Sequence, residues 1–177
     1  HGHYNVATAV RLGNRLYDES KIDWFEEPCP PESVEALRSV RQQLRAPMCM
    51  GERLFTRWDY ARILHEGLTD FIMPDVTWTG GISELKKIAT MAETYYIPIS
   101  PHNAQGPGQI LGAHVSISTP NFYRLEHALD FKPAYDRYMV EPFNWQGNKL
   151  ILNGKPGLGT DLDMDAVHAD LHPDWVV

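Results

Sequence analysis

Five short apolar runs of strand type each lead to one ionisable residue, at nearly regular intervals along the chain. These residues are Glu26, Glu52, Asp75, His102 and Glu126. The interval from one to the next is about the length that one strand, one helix and two short loops require. Carboxylate oxygens are suitable ligands for a divalent cation, and a histidine beside a carboxylate can act as a general base. The pattern therefore predicts that these five side chains share one rim of a parallel sheet, where catalytic groups collect.

Helical periodicity fills the intervals between these runs. Apolar residues recur at helical spacing in each interval, and the predicted helices cover about 6–17, 34–44, 56–66, 82–95 and 110–117. Asn5 and Thr56 are predicted to cap the first and third of these helices, and Trp58 is a predicted buried position. Alternating strands and helices favour a parallel α/β architecture.

A closed barrel explains the ionisable residues better than an open doubly wound sheet does. An open sheet places its ligand site at one switch point, whereas parallel strands in a barrel bring every carboxyl end to one centre. A barrel of this type needs eight strands and about 250 residues, while this 177-residue chain provides five predicted strands. We therefore expect fold class α/β, with residues 1–130 forming the second half of a TIM-like barrel.

The regular alternation of predicted strands and helices ends after Asp130. Residues 145–152 predict a small hairpin, residues 154–159 form a glycine-rich loop, and Asp163 is a predicted cap for a short final helix. The glycine-rich loop follows no strand, so it is a poor match to a phosphate-binding loop. We expect residues 131–177 to form a separate C-terminal segment.

The net charge and the cysteine content of the chain indicate which partners and which cellular compartment to expect. A formal net charge of −7 disfavours binding to nucleic acid or to an anionic membrane, and no window is apolar enough for a membrane span. Two cysteines, Cys29 and Cys49, do not make a disulfide framework, so a reduced, cytoplasmic protein is expected. The chain opens on His1-Gly2-His3 without a methionine, and we expect further sequence upstream.

The motifs around the ionisable residues resemble one known family, the mandelate racemase branch of the enolase superfamily. They are Glu26-Glu27-Pro28, Gly51-Glu52-Arg53, Met73-Pro74-Asp75 with Gly80-Gly81, Ser100-Pro101-His102 and Leu125-Glu126-His127. The resemblance covers nearly the whole chain, in order and in spacing. It implies the C-terminal part of a (β/α)7β barrel, with a capping domain outside this chain against which residues 131–177 would pack.

The resemblance also implies roles for individual residues. Glu26 and Glu52 match two carboxylate ligands of a magnesium ion. Asp75 and His102 match the family's catalytic dyad, and Glu126 matches the glutamate on the last barrel strand. The remaining metal ligand, an aspartate, would precede residue 1.

Within that branch, the segments 51–57 and 156–159 look most like galactonate dehydratase and related acid-sugar dehydratases. These enzymes carry a histidine two residues beyond the first metal-binding aspartate, and His1 matches it, although His3 competes for that role. The implied reaction converts an aldonate to a 2-keto-3-deoxy acid. His102 would remove the proton next to the carboxylate, and His1 would protonate the departing hydroxyl. The expected partners are an acid sugar, Mg²⁺ and further copies of the same chain.

Other interpretations of the same residues remain open. The alternative within the superfamily is a racemase, epimerase or cycloisomerase, which a Lys-X-Lys pair upstream would favour. The pair His1 and His3 also occurs at the metal site of amidohydrolase barrels, but the later strand ends here carry glutamates. A non-catalytic half barrel would be the leading interpretation if the polypeptide began at His1.

Structural roles are also open for several of these residues. Glu26 and Glu52 could each cap the following helix, because acidic residues favour helix N-termini. Glu27 is expected either to support the metal ligands from behind or to form a salt bridge, and Arg53 could pair with a carboxylate or contact substrate.

Overall fold

The computed structural model describes residues 2–102 and 106–172, in which helices and strands alternate up to residue 93. In chain order the elements are α1 (Val6–Ser20), β1 (Phe25–Glu26), α2 (Val34–Arg41), β2 (Met48–Met50), α3 (Arg57–His65), β3 (Phe71–Ile72), α4 (Ile82–Glu93), α5 (Pro107–Ile117), a 3₁₀ turn (Leu129–Phe131), α6 (Lys132–Arg137), β4 (Trp145–Gln146), β5 (Lys149–Leu150) and α7 (Met164–Ala169). No helix within the described residues has the length and apolar character needed to span a membrane.

The strands β1, β2 and β3 form a parallel sheet in that order, so the predicted parallel α/β arrangement is confirmed. The fourth and fifth predicted strands are reduced to single parallel bridges, which pair Ile72 with Ile99 and Ile99 with Phe122. Pro98 and Pro101 flank Ile99, and proline has no N–H to donate to a strand ladder. The local chain direction is nevertheless retained across all five runs.

The two faces of the sheet differ in what they bury. Met48, Met50 and Ile72 are fully buried in the apolar cluster that the sheet shares with the surrounding helices. Side chains alternate between faces along a strand, so Cys49 points to the opposite face, in register with Glu26. We call this face, which carries Cys49 and Glu26, the inner face of the sheet, and Glu26 lies at its carboxyl edge.

Two of the three predicted helix caps form as expected. Asn5 accepts a hydrogen bond from the backbone N–H of Thr8 (2.9 Å), and Asp163 accepts one from the N–H of Ala166 (3.0 Å). The prediction for Thr56 is wrong, because its side chain makes no capping hydrogen bond.

The prediction that Trp58 is buried is also wrong, since Trp58 is 73% exposed. The buried face of α3 consists of Tyr60, Ile63 and Leu64. Trp58 precedes Tyr60 by two residues, about 200° around the helix, which turns its side chain to the other side.

The C-terminal segment packs against the end of α5 through a separate apolar cluster. Tyr135, Met139 and Phe143 are buried together with Ile110 of α5. The predicted hairpin is present as the antiparallel pair β4–β5, and the short helix α7 follows it. The packing of this segment against a capping domain stays a prediction.

Candidate active site

His102 lies among three carboxylates that come from three other strand ends. Its Nδ1 is 2.8 Å from Oδ2 of Asp75, and its Nε2 is 3.1 Å from Oε2 of Glu52. Oε2 of Glu126 lies 3.8 Å from the same Nε2. The structure therefore brings together side chains that are 23 to 74 positions apart in the sequence.

Backbone hydrogen bonds between neighbouring strand ends produce this convergence. The N–H of His102 donates to the carbonyl of Pro74 (3.1 Å), and the N–H of Glu126 donates to the carbonyl of Pro101 (3.2 Å). A similar hydrogen bond joins the ends of β1 and β2, where the N–H of Glu27 donates to the carbonyl of Cys49 (2.9 Å). Because the chain directions are parallel, each residue that follows a strand reaches the same edge of the sheet.

Asp75 is buried and held by three donors. Its Oδ1 accepts hydrogen bonds from the backbone N–H of Thr77 (2.7 Å) and from Thr77 Oγ1 (2.6 Å), while Oδ2 faces His102. Burial raises the pKa of Asp75, but the hydrogen bonds from His102 and Thr77 outweigh it and leave the pKa below its ordinary value. Asp75 is therefore an ionised carboxylate that orients the imidazole.

The pKa of His102 is raised above its ordinary value. Burial lowers this pKa, but the hydrogen bond to Asp75 and the negative charges of Glu126, Asp75 and Glu26 raise it more. With Nδ1–H donated to Asp75, the second nitrogen Nε2 faces the remaining carboxylates and is the atom that can take up or release a proton.

Glu26 belongs to the same charged group. Its Oε2 accepts a hydrogen bond from the indole Nε1 of Trp24 (3.3 Å). Burial, and then the negative charge of Glu126, raise the pKa of the Glu26 carboxyl. Crowded carboxylates of this kind favour a bound cation, and their hard oxygen atoms suit Mg²⁺.

No set of three or more histidine, cysteine, aspartate or glutamate side chains within residues 2–102 and 106–172 has the arrangement of a metal site. The donor chemistry of Glu26 and Glu52 fits a divalent cation. Glu52 contacts His102 and is 7% exposed, and its role as a metal ligand stays a prediction.

A partly buried ion pair joins the two residues that directly follow Glu26 and Glu52. Arg53 Nε donates to Oε2 of Glu27 at 2.6 Å, which confirms Glu27 as a salt-bridging residue and selects the carboxylate pairing for Arg53. Oε1 of Glu27 accepts a hydrogen bond from the N–H of Gly51 (3.2 Å).

The predicted acid His1 lies outside the described residues. Its neighbour Gly2 donates its N–H to the carbonyl of Glu27 (2.8 Å), and a Cβ at Gly2 would lie 2.6 Å from that carbonyl oxygen. Gly2 thus lies against the carboxyl end of β1. His3 is exposed.

Three supporting residues were not found from the sequence. Thr77 follows Asp75 by two positions, the spacing of an Asx turn, which is a recognisable signal. Trp24 precedes Glu26 by two positions and so shares its strand face. The buried Gln109 of α5, which donates to the carbonyl of Glu126 (3.0 Å), has no such signal.

Comparison with known proteins agrees with this arrangement. The family model described as "Enolase C-terminal domain-like" matches residues 1–166. The D-xylonate dehydratase of Haloferax volcanii is 33% identical over 172 residues, which cover 97% of this chain and 42% of that protein. The D-galactarolactone cycloisomerase of Agrobacterium fabrum is 33% identical over 184 residues, covering 98% of this chain and 48% of that protein.

A solved structure shows the same fold. The mandelate racemase/muconate lactonizing enzyme-like protein of Rubrobacter xylanophilus superposes with a TM-score of 0.87 at 34% identity, over 97% of this chain and 44% of the other. The chain spans less than half the length of these curated relatives. The family match and the shared barrel architecture together establish that this chain belongs to the enolase C-terminal domain-like family.

Proposed function

We propose that the protein is a magnesium-dependent dehydratase of acid sugars, which converts an aldonate to a 2-keto-3-deoxy acid. The observation that carries the proposal is the His102 imidazole, fixed by Asp75 at Nδ1 and directed by Nε2 at Glu52 and Glu126. A base in this position faces the group of carboxylates expected to hold the metal. The similar xylonate dehydratase supports the choice of an acid-sugar substrate.

Glu26 and Glu52 are the residues of this chain that would hold Mg²⁺. Their donor chemistry fits, and burial together with neighbouring negative charge raises the pKa of Glu26 in a way that a cation would offset. When bound, Mg²⁺ would neutralise the substrate carboxylate and the negative charge that develops beside it. A third ligand is expected from the part of the barrel that precedes residue 1.

His102 would take the α-proton of the substrate at Nε2. Asp75 keeps the Nδ1 proton in place, so that Nε2 presents its lone pair, and stabilises the imidazolium that results. Glu126 lies close enough to hydrogen-bond a substrate oxygen beside the imidazole. His1 would then protonate the departing hydroxyl on the adjacent carbon, which separates proton removal and leaving-group departure between two histidines.

Galactonate is the first substrate to test, because the segments 51–57 and 156–159 resemble those of galactonate dehydratase. We further propose that the protein is cytoplasmic and that it assembles with copies of itself. Light scattering of the purified protein would measure the size of this assembly. The substrate class and the assembly are proposals, because the chain spans less than half the length of these relatives.

The second candidate is a racemase, epimerase or cycloisomerase that uses the same proton abstraction. The galactarolactone cycloisomerase supports this candidate, because its sequence identity to this chain, 33%, equals that of the xylonate dehydratase. Both candidates share the enolate-forming step and differ in what happens to the carbanion afterwards. Release of a hydroxyl and formation of a keto acid distinguish the dehydratase.

The deciding experiment is incubation of the full-length protein with a panel of aldonic acids and Mg²⁺, followed by an assay for 2-keto acids. We expect 2-keto-3-deoxy acid from at least one aldonate, and its loss on chelation with EDTA. Exchange of the α-proton without keto acid would favour the second candidate instead. Absence of both reactions across the panel would contradict a function in acid-sugar chemistry.

A further inference from the structure

The ion pair between Glu27 and Arg53 joins the two strand ends that carry the proposed metal ligands. Glu27 directly follows Glu26, and Arg53 directly follows Glu52. The Glu27 side chain is fully buried and accepts hydrogen bonds from Arg53 Nε (2.6 Å) and from the N–H of Gly51 (3.2 Å). One buried carboxylate therefore holds the residues on both sides of Glu52 and is itself the neighbour of Glu26.

The backbone at Glu27 explains how adjacent carboxylates point in different directions. Glu27 has φ of +33°, a conformation that few residues other than glycine adopt. The chain turns there, so that Glu26 stays on the inner face near Glu126, whereas the Glu27 side chain turns back to Arg53. Such a conformation persists only where the surrounding contacts determine it.

The segment Gly51-Glu52-Arg53 is fixed from the other side as well. The hydroxyl of Tyr60 donates to the carbonyl of Gly51 (2.6 Å), and a Cβ at position 51 would lie 2.9 Å from that hydroxyl. Both backbone hydrogen-bonding groups of Gly51 are thus occupied, its N–H by Glu27 and its carbonyl by Tyr60. The peptide that leads into Glu52 has little freedom to move.

Stability alone is a weak reason for this arrangement. Burying an ion pair costs desolvation, and an apolar pair of similar volume is often equally stable or more stable. We propose that Glu27 is a positioning residue, which sets the separation and direction of the Glu26 and Glu52 carboxylates for an ion of the size of Mg²⁺. This inference rests on the proposed metal site.

The choice of ion gives the inference a specific consequence. Mg²⁺ requires nearly octahedral ligands at about 2.0–2.1 Å, whereas Ca²⁺ accepts flexible geometry at about 2.3–2.6 Å. If Glu27 acts by fixing ligand positions, then weakening its contacts reduces Mg²⁺ affinity more than Ca²⁺ affinity. A role in general stability would lower both affinities together or leave both unchanged.

The test compares Glu27→Gln with the wild type by isothermal titration of the full-length protein with Mg²⁺ and with Ca²⁺. We expect the Mg²⁺ dissociation constant to rise about 10- to 100-fold, the usual range for residues that support metal ligands, with a smaller rise for Ca²⁺. Glu84→Gln is the matched control. Glu84 of α4 accepts hydrogen bonds from the backbone N–H of Arg57 (3.0 Å) and from its guanidinium (2.5 Å), so this ion pair joins two helices and not two strand ends. The Glu84→Gln substitution should change neither dissociation constant.

Thermal melting of the metal-free variants checks that each is folded before titration. If Glu27→Gln does not fold, Arg53→Lys replaces it, because lysine keeps the charge but loses the planar fork of the guanidinium. An unchanged Mg²⁺ constant in the folded variant, or equal losses for both ions, would overturn the positioning role. Failure of the wild type to bind Mg²⁺ at all would instead overturn the proposed metal site on which the inference rests.

Discussion

Asp75→Asn separates the orientation of the imidazole from the presence of the base. Oδ1 of Asp75 accepts from two donors of Thr77, and Oδ2 accepts from Nδ1 of His102. An asparagine oxygen would stay with the Thr77 donors, so the amide NH₂ would face His102. Nδ1 must then accept a hydrogen bond, which places the imidazole proton on Nε2, the atom proposed to act as the base.

The expected loss follows from two effects. A hydrogen bond to a charged group contributes about 1.5–3 kcal/mol, which corresponds to roughly 10- to 150-fold in rate. The wrong tautomer adds to this, and the equivalent change in a serine protease triad lowers kcat by about 10⁴. We expect α-proton exchange in Asp75→Asn to fall by about 10²- to 10⁴-fold.

The assay is the exchange of the substrate α-proton in deuterated water, followed by proton NMR. Asp70→Asn is the matched control, since Asp70 precedes β3 at the opposite end and its carboxylate accepts from the N–H of Met48 (2.8 Å) and from Arg41 (2.7 Å). This control should exchange at close to the wild-type rate. An Asp75→Asn enzyme that is folded and exchanges within about threefold of wild type would refute the proposed orientation by Asp75.

Three further changes test other parts of the structure. His102→Asn should abolish α-proton exchange and leave metal binding nearly intact. Because folding raises the pKa of His102, the metal-free wild type should lose stability relative to this variant as the pH rises through that pKa. A gain in relative stability over the same pH range would contradict the raised pKa. Gly51 has φ of +134°, and a Cβ there would lie 2.9 Å from the Tyr60 hydroxyl, so Gly51→Ala should lower the free energy of unfolding by about 2–5 kcal/mol. Gly67 also has positive φ but open space around it, so Gly67→Ala should lower this free energy by only about 1–2 kcal/mol. Equal losses in denaturant titrations would contradict the steric argument. Burial raises the pKa of the thiols of Cys49 and Cys29, so a colorimetric thiol reagent should label neither in the native protein and both after unfolding, and rapid native labelling would refute this.

The parts of the fold that were predictable are those set by local or periodic rules. The spacing of the ionisable residues predicted parallel strand ends, because a parallel sheet requires a crossover of nearly constant length. Asn5 and Asp163 cap helices through hydrogen bonds that span only three residues, so their neighbours in sequence are sufficient to predict them.

The remaining features depend on contacts between distant residues. Trp58 is apolar and lies at a plausible helical position, but the side of α3 that packs inward is decided by the sheet beneath it. The turn at Glu27 and its pairing with Arg53 bring together residues 26 positions apart. The contact between Glu52 and His102 likewise joins residues 50 positions apart, and β3 lies between the two strand ends that carry them.

The most direct test of the whole account is a crystal structure of the full-length protein grown with Mn²⁺ in place of Mg²⁺, examined by anomalous scattering. The account predicts one strong peak coordinated by a carboxylate oxygen of Glu26 and one of Glu52, at about 2.2 Å, with His102 and Asp75 beside it. A peak elsewhere, or none near these two glutamates in protein that is active with Mn²⁺, would contradict it.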